Sequence, residues 1–254
     1  MLDSLYAGSL ADAATRQELV SIQEVERLAL ATAPALNALQ FLAPANHIKV
    51  LAEVKRASPS KGDMAEIADP AGLAQIYADN GASAISVLTE QRKFKGSLDD
   101  LRAVRARVSV PLLRKDFIAN EYQILEARAA GADIVLLIVA GLDQAELVRL
   151  KDFAEQLGMT AFIETHDRDE VLRALDTGAK FIGVNARNLS TFETDRDLFA
   201  TLVDLFPADV IKVAESAVRN VDDVRHYRKS GADVVLVGEA LVTNNPAEML
   251  KSFL

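Results

Sequence analysis

Eight short apolar runs, rich in β-branched residues, recur from Ile48 to the carboxyl end. They are Ile48–Val54, Ala84–Leu88, Val110–Leu113, Ile134–Val139, Thr160–Ile163, Phe181–Val184, Ile211–Ala214 and Val234–Val237. Each reads as a strand buried on both faces, as in a parallel sheet covered by helices, rather than as an alternating half-exposed strand. Between the runs lie amphipathic stretches long enough for helices, among them Pro70–Asn80, Glu121–Ala130 and Gln144–Leu157.

Local start and stop signals agree. Asp69-Pro70 and Asn245-Pro246 put a capping side chain before a proline at the first helical position. Asp143 with Glu146, and Asp167 with Glu170, have the spacing of a capping box. Gly-Ala occurs at 81–82, 131–132, 178–179 and 231–232, each time just before an apolar run. Glycine suits the left-handed residue that closes a helix, so the repeat reads as helix, Gly-Ala, strand.

Eight such βα units predict an α/β fold, a closed (β/α)8 TIM barrel occupying residues 1–254 as one domain. An open doubly wound sheet is the rival, but no Gly-rich turn follows the first run. Residues 1–47 precede the first strand and hold helical material, notably the run opened by Ser21-Ile22-Gln23-Glu24. They predict an N-terminal helical extension packed on the barrel.

Half of the residues are hydrophobic, enough for one large core. The net charge of −9 repels nucleic acid and anionic membranes, and no apolar run is long enough to span a bilayer. With no cysteine there is no disulfide framework, thiolate nucleophile or Cys-based metal site. A cytoplasmic location, no metal, no cofactor and no obligate protein partner are the expectations. An anionic substrate needs cations gathered locally against the overall field.

Barrel enzymes place their chemistry at the carboxyl ends of the strands. Those positions carry Glu53 and Lys55, Lys115 beside Asp116 and Phe117, Glu164 and His166, Asn185 and Arg187, Glu215 and Ser216, then Gly238 and Glu239. Charges crowded at the mouth of a dry barrel shift one another's pKa, as general acids and bases require. Ser216, Ala217, Gly238 and Glu239 follow the last two strands, where barrels often cradle a phosphate on backbone N–H groups. No nucleotide-binding, zinc-protease or serine-hydrolase motif is present. His47, His166 and His226 lack ligand spacing. His226 reads as a solvated helix residue, and His166 as a loop residue near the rim rather than a catalyst.

These residues resemble a family. Ile48–Gly62, reading IKVLAEVKRASPSKG, is similar to the signature stretch of indole-3-glycerol-phosphate synthases. The likeness continues through Leu113–Phe117, Ile163–His166, Ile182–Leu189, Val213–Ser216 and Leu236–Glu239, and so covers essentially the whole chain. One position departs from the pattern: the family usually has glycine after the Glu-Ser pair, and this chain has Ala217.

The resemblance implies conversion of 1-(2-carboxyphenylamino)-1-deoxyribulose 5-phosphate to indole-3-glycerol phosphate, with loss of carbon dioxide and water. It implies Lys115 as general acid and Glu164 as proton acceptor, with Glu53, Lys55 and Asn185 completing the catalytic set. Lys55 and Arg187 become anion contacts, and Ser58, Glu215 and Ser216 contacts to the substrate. Pro59, Phe94, Phe117, Leu136 and Leu189 line the slot for the aromatic ring. Two alternatives remain open at this point. A phosphoribosylanthranilate isomerase-like enzyme would use cysteine and aspartate at the key strand ends. A catalytically silent phosphometabolite-binding barrel would keep Ser216 and Gly238 without needing Lys115 or Glu164.

Overall fold

A computed structural model of the chain describes residues 1–188 and 191–254. Its eight long strands are β1 (Lys49–Val54), β2 (Ala84–Leu88), β3 (Leu112–Lys115), β4 (Ile134–Ile138), β5 (Thr160–Thr165), β6 (Phe181–Asn185), β7 (Ile211–Glu215) and β8 (Val234–Val237). Every neighbouring pair is parallel, and β1 pairs with both β2 and β8, so the sheet closes on itself. Closure removes the unpaired edges that an open sheet exposes. It also lets almost every strand residue be buried on both faces, which is why the runs carry no alternation.

The strands differ from the sequence pattern mainly at their carboxyl ends. The third begins at Leu112 instead of Val110, because Pro111 has no N–H to give a ladder. It runs on to Lys115. The fifth, sixth and seventh likewise extend through Thr165, Asn185 and Glu215. Polar residues at the barrel mouth are therefore strand residues, held by the ladder rather than by loops.

The helices that cover the barrel follow their caps. Asp69 accepts from the Gly72 N–H to start α4 (Pro70–Asp79), and Asn245 caps α12 (Pro246–Phe253). Asp143 and Asp167 cap α7 (Gln144–Gln156) and α8 (Arg168–Asp176) through the Glu146 and Glu170 N–H groups. The reciprocal half of the capping box does not form. Glu146 pairs with Arg149, and Glu170 turns back to the His166 N–H. The four Gly-Ala glycines all have positive φ, between 76° and 99°.

The segment before β1 forms α1 (Leu2–Leu19), α2 (Ile22–Ala31) and the short α3 (Ala38–Phe41). It is tied to α6 (Glu121–Ala129) by the ion pair of Arg16 with Glu126 and by the Tyr122 hydroxyl, which donates to the Val20 carbonyl. α1 then runs across the barrel mouth, with Tyr6 edge-on to Phe117 at 5.7 Å between ring centroids. Among the described residues no helix is long and apolar enough to cross a membrane.

Candidate active site

Period-two alternation along a strand sends neighbouring residues to opposite faces. At the end of β3 it sends Arg114 outward under α6 and Lys115 inward. The Lys115 ammonium lies 2.6 Å from Glu215 Oε2 on β7, 3.1 Å from Glu164 Oε2 on β5, and over the face of Phe162. Across the mouth, Lys55 Nζ sits 2.6 Å from Glu53 Oε1. Asn185 at the end of β6 ties the ring together. Its amide donates to Glu164 Oε1 at 3.1 Å, and its Oδ1 accepts from the Ser216 hydroxyl at 2.7 Å and the Arg187 N–H at 3.0 Å.

Burial sets the electrostatics. Glu53, Glu164 and Glu215 are almost wholly shielded from solvent, and burial alone disfavours a charged carboxylate. For Glu164 the cations win: despite burial, Lys115 and then His166 hold it well below the usual carboxylate range. Glu215 goes the other way, up to about 8, pushed by burial and by the Glu164 charge beyond what Lys115 returns. Burial would strip the proton from Lys115, but Glu215, Glu164 and Glu53 together hold it charged, above an ordinary lysine. Environments that separate two neighbouring carboxyls in this way prepare one as base and the other as proton holder.

This cluster floors a cavity of about 510 Å³, the size of a site for a small organic ligand. Every described residue expected from the sequence lines it: Glu53, Lys55, Ser58, Pro59, Phe94, Lys115, Phe117, Leu136, Glu164, Asn185, Arg187, Glu215, Ser216, Ala217, Gly238 and Glu239. Leu189 lies outside the described residues. One wall is apolar, with the Phe94 and Phe117 rings 6.0 Å apart. Glu90 shapes that wall by accepting from the N–H groups of Arg92, Lys93 and Phe94.

The opposite end is made of backbone. Ser216 and Ala217 follow β7 in consecutive left-handed conformations, φ 68° and 56°. The Tyr227 hydroxyl donates to the Ser216 carbonyl, which holds the turn. Gly238 follows β8, and a Cβ there would stand 2.5 Å from Glu53 Oε1, so the glycine leaves room for the Glu53 carboxylate where it now lies.

The structure adds to the sequence reading at several residues. Met1, Leu2 and Leu5 of α1 also line the cavity; α1 has no clear apolar stripe, and nothing local announced them. Glu215, expected as a substrate contact, lines the cavity and also pairs with the Lys115 ammonium. His166 lies in the loop after β5, as expected, but its side chain is only 11 % exposed and lies between Glu164 and Glu170 at 3.3 and 3.0 Å. His226 too is half-buried, 3.1 Å from Asp197.

The family model described as Indole-3-glycerol phosphate synthase matches residues 2–253. The chain belongs to that family. It is 61 % identical over 253 residues to the indole-3-glycerol phosphate synthase of Leifsonia xyli subsp. xyli, covering all of this chain and 97 % of the relative. To the enzyme of that name from an Arthrobacter species it is 54 % identical over 258 residues, covering 100 % and 95 %. Solved structures with the same barrel include thiamine phosphate pyrophosphorylase from Pyrococcus furiosus, with TM-score 0.61 and 15 % identity over 81 % of this chain and 93 % of that one. N-acetylmannosamine-6-phosphate 2-epimerase from Clostridium perfringens gives TM-score 0.62 at 14 % identity, covering 81 % and 91 %. Those two likenesses concern the fold alone.

Proposed function

We propose that the chain, acting in the cytoplasm as one unit over residues 1–254, closes the indole ring of 1-(2-carboxyphenylamino)-1-deoxyribulose 5-phosphate. Carbon dioxide and water leave, and indole-3-glycerol phosphate remains. The observation that carries this reading is one ammonium, that of Lys115, set between two buried carboxylates with unlike proton affinities.

In this reading the phosphate rests on the N–H groups of the Ser216–Ala217 turn and of Gly238 and Glu239, where oriented donors suit an anion. The aromatic ring lies against Pro59, Phe94, Phe117 and Leu136, with Leu189 as a further expected contact. The substrate carboxylate meets Lys55 and Arg187, and Ser58 adds a polar contact. Lys115 then donates a proton to the ketone oxygen, making its carbon electrophilic toward the ring carbon that bears the carboxylate. Bond formation is followed by loss of carbon dioxide, which restores the aromatic ring. Departure of the new hydroxyl as water requires a second proton on its oxygen, which the Lys55 ammonium gives in this reading, and a proton to be taken from the adjacent carbon. Glu164, ionised and facing the cavity, is the acceptor. Glu53 and Lys55 assist, and Asn185 and Ser216 hold the geometry.

Neither alternative has a comparable observation behind it. A silent binding barrel has no need for a buried lysine shared by two carboxylates. An isomerase of the related type would use a cysteine that this chain lacks. The test is an ultraviolet assay of indole formation from the carboxyphenylamino substrate in chelator-treated buffer. Turnover is expected without added metal; no indole product, or activity restored only by a divalent ion, would count against the proposal.

A further inference from the structure

Glu164 does not rest on Lys115 alone. Two buried carboxylates share this one ammonium, and Glu215 holds the shorter contact, 2.6 against 3.1 Å. Lys115 reaches Glu164 only at Oε2, so Oε1 depends on Asn185 and one further partner, since a buried charged oxygen without partners is costly. His166 is the group in place. Its Nε2 lies 3.3 Å from Glu164 Oε1, off the line of a full hydrogen bond, so the link is mainly one of charge.

The imidazole is itself held from behind. Glu170 Oε2 accepts from the His166 backbone N–H at 2.8 Å and lies 3.0 Å from Nδ1. Glu170 stands in the first turn of α8, where Asp167 caps the helix. The charged groups facing His166 are Glu164 near the end of the strand it follows and Glu170 on α8. Across the adjoining cavity they are Asp3 of α1, Asp167, and Arg187, Glu193 and Asp195 of the segment after β6. Acidic groups predominate. Burial would drive the imidazole neutral, but Glu164 and Glu170 raise its pKa to about 10.

The two oxygens of Glu164 are thereby distinguished. Oε1 is taken by Asn185 and His166, and Oε2 is left facing Lys115 and the cavity. We propose that His166, clamped by Glu170, is a positioning residue for this reaction: as an imidazolium it keeps the Glu164 carboxylate ionised and turns Oε2 toward the substrate. The inference rests on Glu164 being the proton acceptor. It assigns His166 no contact with substrate.

The experiment compares wild type, His166→Gln, His166→Ala and Glu164→Gln as full-length chains, with kcat and KM measured from pH 5.5 to 9 and folding checked by circular dichroism. Gln keeps the size and a donor but not the charge. His166→Gln is expected to lower kcat about tenfold at pH 8, where Glu164 is ionised in both enzymes and the loss is one of orientation, with KM within about twofold. The loss should deepen toward pH 5.5, because without the imidazolium Glu164 binds its proton at higher pH. A kcat equal to wild type, a uniform loss with no change in the pH profile, or an effect confined to KM would each overturn the inference. Glu164→Gln separates the two levels. If it loses at least about two orders of magnitude in kcat while the His166 variants are unchanged, the role of His166 fails and that of Glu164 stands. If it turns over like wild type, both fail.

Discussion

Arg114 and Lys115 are neighbours in the chain that serve opposite sides of one strand. Arg114 is fully buried outside the barrel, where it donates to the Gln123 carbonyl at 2.6 Å and to Thr89 Oγ1 and Asp116 Oδ2 at 3.0 Å. Lys115 points inward to Glu164 and Glu215. The outer network also takes in Ser9 of α1, whose hydroxyl donates to Asp116 Oδ1 at 3.0 Å. The residue after the lysine is thus fixed by the helix that crosses the barrel mouth. Scaffold and chemistry are separated by a single peptide unit.

The inner member should be indispensable for the chemistry. Lys115→Ala is expected to lower kcat by at least about two orders of magnitude, the scale of a lost general acid, and to lower Tm as well, because Glu164 loses its buried cation. Steady-state kinetics beside a melting curve checks this. A variant within a few-fold of wild type would remove Lys115 from the mechanism.

The outer member should matter for stability alone. Arg114→Met leaves Asp116 and Glu126 buried with fewer partners, a change that typically costs about 3–5 kcal/mol. For a chain of this size that corresponds to a fall in Tm of roughly 6 to 20 °C. Thermal melts decide the matter, and a Tm within about 2 °C of wild type would mean that Ser9, Thr89 and Arg16 satisfy these carboxylates by themselves.

Ala217 occupies a conformation that costs a residue with a Cβ roughly 1 kcal/mol. Ala217→Gly relaxes the turn, and the expected result is a lower KM, by up to about fivefold for 1 kcal/mol, at unchanged kcat. The glycine also loosens the unfolded chain, by about 0.4–1 kcal/mol in the opposite sense, so Tm should hardly move. An unchanged or raised KM would show that the alanine already presents its N–H correctly.

His166 makes the fold pH-sensitive in a definite direction. Its pKa is raised in the folded state to about 10, against about 6.5 in an unfolded chain. Its stabilising contribution is therefore complete below about pH 6.5 and disappears as the pH climbs through about 10. The Tm advantage of wild type over His166→Gln should be largest near pH 6 and shrink steadily toward pH 10. A constant difference across that window would argue that the imidazole is neutral throughout.

What the sequence by itself determined follows from regularities that repeat along the chain. The eight strands were legible because a closed parallel sheet buries both faces, leaving unbroken apolar runs. The helix starts at Asp69 and Asn245 and the Gly-Ala ends were legible because caps are local chemistry. Glu53, Lys115, Glu164 and Asn185 could be picked out because a polar side chain at the end of an apolar run has few structural reasons to be there. Only the tertiary structure decided which of these groups meet. Lys115 and Glu215 are 100 positions apart and touch because barrel closure brings β3 and β7 to the same mouth. Met1, Leu2 and Leu5 reach the cavity through the docking of α1, which its own weak pattern does not announce. His166 became a buried cation because the first turn of α8 folds Glu170 back onto it. The Lys115 and α1 pairings depend on distances through space that no spacing along the chain encodes, whereas Glu170 stands only four residues from His166 and its role emerges from burial.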